Sequence, residues 1–330
     1  MRIGRWSMLV AVAVAIAALA AGCAKQQPAG KSESKPVAAE PATAVKGTIE
    51  VLVPCGQVGP FSKIYKLFEA KHPGVTVDWV QENIVTMTRK VIDGKAKPDA
   101  FLSMADLEMN QLEKAGMLEP GTRRKIAENS LAIVVPVANP GGVNGIEDFV
   151  KPSVKSIAVP NPKENGVGLH TQEALEKLGI WDRVKGKVIL PQFAADSKDL
   201  AAAGKVEAAV AYYPCSVEVH VKDAPPGLPK SLKLVGHIPS NLYQEFWCEG
   251  AVIKGAKNPE GGKMLLDFLK TPEVQEIYKQ WEFVREPKAP AAGKGDGRLA
   301  AETRDRGADG RQRRQAYQVF RVNYGGRYRR

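Results

Sequence analysis

Residues 48–80 read TIEVLVPCGQVGPFSKIYKLFEAKHPGVTVDWV. The stretch opens on a β-rich run, TIEVLV over 48–53. Gly59-Pro60 then starts a helix, since proline is accommodated in a first helical turn. Phe61, Ile64, Tyr65 and Phe68 recur at i, i+3, i+4 and i+7 and give it one apolar face. Pro73-Gly74 ends the helix, and VTVDWV over 75–80 forms the next strand. Strand, helix and strand in this order make a crossover unit, which joins parallel strands.

The alternation continues along the chain. A helix is predicted over 86–92, a strand over 100–103 and a helix through Leu107, Leu112 and Met117. LAIVVPV at 131–137 reads as a buried strand. Strands at 156–159, 208–213 and 232–238 and a helix over 168–178 follow. Asn258-Pro259-Glu260 and Thr271-Pro272-Glu273 are cap-and-proline helix starts. No internal sequence repeat is visible. The expectation is an α/β architecture with mixed, mostly parallel sheets.

Composition narrows the function classes. The chain has 330 residues, 44% apolar and 25% charged, which excludes wholesale disorder, collagen and coiled coil. Its length favours two compact units. The net charge of +11 is concentrated at one end: residues 286–330 carry 12 basic and 5 acidic side chains, a net of +7. A basic tail on a near-neutral body does not make the body a nucleic-acid binder, and residues 286–330 read as a disordered extension.

The other end reads as an address. Arg2 and Arg5 precede an apolar run from Met8 to Ala21, too short for a membrane span and suited to a secretory signal. Leu19-Ala20-Ala21-Gly22-Cys23 looks like a bacterial lipobox with alanine where leucine is usual. Residues 1–23 are thus a signal ending in a lipidated Cys23, and 24–46, rich in Pro, Ala, Ser and Lys, a flexible tether reaching on the order of 25–30 Å. The mature chain would be exported and held to a membrane by lipid alone.

Motifs for catalysis are absent. There is no GxxxxGK[ST], GxSxG, HExxH or CxxC, and the histidines are His72, His170, His220 and His237. The reading is a non-enzyme without a cofactor.

Taken in order, FSKIYKLFEAKHPGVTV, KPDAFLSMAD, RKIAENSLAIVVPVANP, QEALEKLGIWDRVKGKV, VEAAVAYY and VIKGAKNPEGGKMLLDFLKTPEVQEIY resemble the molybdate-binding substrate-binding proteins of ABC transporters. The resemblance covers about residues 47–283. It implies a two-lobed periplasmic-binding-protein fold of type II kind, with lobe 1 over 47–130 plus 245–285, lobe 2 over 131–244, and crossover strands near 131–136 and 242–250. It implies capture of a small inorganic oxyanion, molybdate or tungstate, for an ABC permease, by a monomer.

Open α/β sheets bind ligands beyond strand carboxyl ends, against helix N-termini. Residues 55–60, 84–88 and 166–170 are such junctions. Carried over by the resemblance, the ligand contacts fall on Cys55-Gly56, where the family has a serine loop, on Val85 with Thr86 as the nearest hydroxyl, on Tyr212, and near Val167 and Ala194. Cys55, Cys215 and Cys248 all follow strands expected to point at the cleft, with Met87 and Met104 in neighbouring loops. Three converging thiolates would favour a soft metal or metalloid such as arsenite, copper or mercury; alternatively two of them, Cys215 and Cys248, form a disulfide. His170 is expected on a helix surface, Glu249 toward solvent, Arg123-Arg124 as a solvated pair, and Trp79, Trp247 and Trp281 in the core.

Overall fold

The computed structural model describes residues 45–217, 221, 228–285 and 327–328. The signal segment, Cys23, most of the tether, His220 and all of the basic tail except Arg327 and Tyr328 lie outside these residues.

The opening stretch folds as its pattern dictates. β1 (Gly47–Pro54) buries an almost continuous apolar run, α1 (Val58–Lys71) follows a short 3-10 turn at Cys55–Gln57, and β2 (Val75–Glu82) alternates inward and outward residues. Phe61, Ile64 and Phe68 are fully buried on the inner face of α1, each contributing on the order of 2–3 kcal/mol. α2 (Ile84–Ile92), β3 (Ala100–Leu102), α3 (Asp106–Lys114) and β4 (Arg124–Glu128) complete the first half. β5 (Leu131–Pro136), β6 (Ile157–Ala158), α4 (Gly166–Lys177), α5 (Trp181–Val184), β7 (Val188–Ile189), α6 (Ala194–Ala202), β8 (Ala208–Tyr212) and β9 (Leu232–His237) follow. The chain then returns through β10 (Trp247–Val252) to α7 (Pro259–Phe268) and α8 (Pro272–Gln280), and β11 (Arg327–Tyr328) pairs parallel to β2.

These strands form two sheets. The first has the order β11-β2-β1-β3-β10-β4 and the second β7-β6-β8-β5-β9. Each is mixed in the same way. β10 runs antiparallel between β3 and β4, and β5 runs antiparallel between β8 and β9. The remaining neighbours are parallel, β1 and β2 from Gly47 opposite Val75 to Pro54 opposite Glu82. Two α/β lobes result, the α/β character expected from the alternating pattern and the two lobes implied by the resemblance.

The chain changes sheet twice, through Asn129 and Ser130 between β4 and β5 and through residues 238–246 between β9 and β10. The first passage is short and tied down. Asn129 is buried; its Nδ2 donates to the Met104 carbonyl (2.8 Å) and its Oδ1 accepts from the Ser130 amide (2.9 Å). Because β3 ends beside Met104 and β8 beside Tyr212, the carboxyl ends of both sheets face one hollow, where the functional side chains collect.

Candidate ligand-binding cleft

A cavity of about 250 Å³ opens at these strand ends. Cys55 and Gly56 line it from the turn after β1, Asn83 and Ile84 from the start of α2, and Met104 from the loop after β3. From the second sheet come Asn165 at the start of α4, Ala194, Ala195 and Lys198 of α6, and Tyr212 and Cys215 after β8. Trp281 and Phe283, just past α8, close one side.

Five of the expected residues therefore meet there: Cys55, Gly56, Ala194, Tyr212 and Cys215. Val85, Thr86 and Val167 do not line the cavity, and the local chemistry explains why. Asn83 caps α2 by accepting the Val85 amide on Oδ1 (2.9 Å), and Asn165 caps α4 by accepting the Val167 amide (2.9 Å). The backbone N–H groups of both positions are taken by the caps, and the Val85 and Val167 side chains turn into the core at 4% and 0% exposure. The cap asparagines stand at the cavity instead. An Asn immediately before an apolar helical run was the available signal.

Two donors at this wall lack partners. Asn165 Nδ2 and the Tyr212 hydroxyl are buried with no hydrogen bond, a state that costs on the order of 1–3 kcal/mol each unless something accepts from them. Burial, followed by the nearby Glu108 carboxyl, raises the Tyr212 hydroxyl well above its ordinary value, so it stays a donor. Lys198 is the only charged side chain among the described residues lining the cavity. Its Nζ donates to the Cys215 carbonyl at 2.5 Å.

The cysteines do not form the expected set. Cys55, Cys215 and Cys248 are all free, so the Cys215–Cys248 bridge is absent. Cys248 is fully buried, its Sγ 3.8 Å from the Met104 carbonyl, and does not line the cavity. Burial pushes its thiol well up. Among the described residues no three His, Cys, Asp or Glu side chains come together to hold a metal ion, the three thiols included. Cys215 is raised to about 11 by burial, against the opposing pull of Lys198. Cys55 is the exposed one of the three thiols.

The lobes also touch through ionisable groups, α4 against α3. His170 of α4 is fully buried, not on a helix surface. Its Nε2 lies 3.1 Å from Asp106 of α3 and its Nδ1 2.9 Å from Glu173. Glu108 of α3 is fully buried and accepts the Gly166 amide at 3.3 Å. Gly166 permits this approach, because a Cβ there would fall 2.4 Å from that of Ala105. Glu249 also departs from expectation. It is 5% exposed and takes the Arg123 Nε at 2.7 Å, so Arg123 is an ion-pair partner rather than a solvated residue. Trp79 is core as expected, while Trp281 is both core and cavity wall.

Residues 49–284 match the family model described as bacterial extracellular solute-binding protein. The chain belongs to that family. It is 28% identical over 259 residues to the molybdate-binding protein ModA of Escherichia coli (strain K12), covering 73% of this chain and 91% of that one. It is 20% identical over 282 residues to the putative ABC transporter substrate-binding lipoprotein YvgL of Bacillus subtilis (strain 168), covering 86% and 99%. The Azotobacter vinelandii periplasmic molybdate-binding protein has a similar fold, with a TM-score of 0.58 at 18% identity over 72% of this chain and all of that one. This solute-binding chain thus has the two-lobed fold of periplasmic binding proteins. Among its described residues no helix is long and apolar enough to cross a membrane.

Proposed function

We propose that this solute-binding protein is the capture component of an ABC importer for a small inorganic oxyanion of the molybdate or tungstate type. The observation that carries the reading is that one cavity of about 250 Å³ is lined by Asn165 and Tyr212, whose buried Nδ2 and hydroxyl lack partners, together with the cation of Lys198. An oxyanion offers only acceptors and negative charge, so it would satisfy both donors and meet the cation. The volume lies below the ~300–1,000 Å³ of sites for drug-sized ligands. Similarity to proteins named as molybdate-binding supports the same class.

In this account Asn165, Tyr212, Lys198 and the cap asparagine Asn83 replace the serine and backbone donors that the resemblance implies at Cys55, Val85 and Val167. Hinge movement at Asn129-Ser130 and at residues 238–246 would open and close the lobes on the ligand. No cofactor and no chemistry on the ligand are involved. A lipid on Cys23 and the tether would keep the monomer beside its permease, outside the cytoplasmic membrane.

Thermal melting with millimolar molybdate, tungstate and sulfate tests the reading. A ligand at a thousandfold excess over Kd adds ~4 kcal/mol, roughly 10 °C for a fold of this size. A rise with at least one oxyanion is expected. Unchanged melting with all of them would remove the oxyanion reading.

A further inference from the structure

The donors and the cation of the proposed oxyanion site leave the sulfur of the same cavity unused. Cys55 and Cys215 border the same cavity as free thiols, and Met104 adds a thioether. The two thiols are close enough for each to feel the other's charge. A Cβ on Gly56 would lie 2.9 Å from Cys215 Sγ and 2.8 Å from Met104 Sδ, so both sulfurs sit against the residue that follows Cys55. Thiols and thioethers are weak hydrogen-bond groups and poor ligands for a hard oxyanion. They bind soft, thiophilic centres well.

We infer that the cleft also captures a trivalent, thiophilic oxyacid, arsenite being the type, by joining it covalently to Cys55 and Cys215. The inference rests on the reading of this cavity as the ligand site and adds a second ligand class to it. Each As–S bond formed replaces one As–OH, and the thiol proton leaves with that hydroxide as water. Two condensations therefore release two waters and leave one As–OH. Arsenic stays trivalent and no electrons are transferred. Reagent and product are both neutral, which suits the half-buried Cys215, whose thiol burial keeps protonated. The remaining As–OH oxygen would accept from Asn165 Nδ2 or the Tyr212 hydroxyl, so thiols and donors serve one ligand. Lys198, bonded to the Cys215 carbonyl, holds the Cys215 loop in place.

The test is alkylation footprinting of the full chain with iodoacetamide, with and without millimolar sodium arsenite, read peptide by peptide so that Cys23 is counted separately. Arsenite is expected to lower labelling of Cys55 and Cys215 at least tenfold together, with buried Cys248 unlabelled throughout. Cys55→Ser should return Cys215 to full labelling in arsenite, and Cys215→Ser should do the same for Cys55. Native mass spectrometry of the unsubstituted chain, with one arsenic per chain released by a dithiol, keeps the question decidable should a variant misfold. Full labelling of either thiol at millimolar arsenite would overturn the inference. So would an arsenite-raised melting temperature that persists in the double serine variant. A molybdate or tungstate melting shift without thiol protection leaves the oxyanion reading standing and removes this one; protection without any oxyanion shift does the reverse.

Discussion

A Cβ on Gly59 would fall 2.1 Å from Trp281 Cζ3, so the indole can close the cavity only over a residue without a side chain. Gly59→Ala is expected to push Trp281 outward, cost ~1–3 kcal/mol and lower the melting temperature by several degrees in a calorimetric scan. Asn165 carries two duties that substitution can separate. Its Oδ1 caps α4 and its Nδ2 is the unpartnered donor. Asn165→Asp keeps a capping oxygen but turns the donor into a second acceptor. At pH 7 it should fold and bind oxyanion at least tenfold more weakly by isothermal titration. Asn165→Ala should lose the cap as well, about 1 kcal/mol of stability. Equal affinities for Asn165→Asp and the unsubstituted chain would show that the amide does not touch the ligand.

At the scale of elements, α3 and α4 meet through groups whose protonation changes with folding. Burial raises Glu108 from 4.5 to about 7. The folded state therefore keeps a proton that the unfolded chain releases, and stability falls by roughly 3 kcal/mol as pH rises from about 4.5 to about 7. Burial lowers His170, but its hydrogen bonds to Asp106 and Glu173 outweigh burial and raise it. Its contribution is complete below pH 6.5 and is lost as pH rises through the folded value. Burial raises Asp106 and Glu173, yet the bond to His170 wins and lowers both, so their contribution disappears in acid. Arg123, near Asp106, and Glu249, near both, complete the charges around the contact. The melting temperature should be highest near pH 4.5–5 and decline toward pH 8, and Glu108→Gln should flatten that decline. A decline equally steep in Glu108→Gln would clear Glu108 of the effect.

The same elements show what sequence could and could not reveal. α1, α7 and α8 were legible because caps, prolines and apolar spacing are local signals. α6, AADSKDLAA, was missed as a helix because it has almost no apolar contrast around its circumference. Cys55, Gly56, Tyr212 and Cys215 were legible as cavity residues because loops at strand carboxyl ends collect on one side of each sheet, and both sheets turn that side to the same hollow. Val85 and Val167 missed the cavity by two positions because a cap reaches to the second amide beyond it. His170 and Glu249 were misjudged because their burial comes from partners 64 and 126 residues away, which no local pattern records.

On the scale of the whole molecule, two sheets of like plan, joined through Asn129-Ser130 and residues 238–246, turn their strand ends to a common hollow. Its lining combines two chemistries, donors with a cation and sulfur, and this sets the ligand question apart from the fold, which many ligands share. The central claim is that the hollow holds a small inorganic anion. Crystals grown with tungstate and measured at a tungsten absorption edge address it directly. The account predicts one strong anomalous peak inside the cavity, within hydrogen-bonding distance of Asn165, Tyr212 and Lys198. Crystals that diffract well but show no such peak there at millimolar tungstate, in a protein whose melting tungstate leaves unmoved, would contradict it.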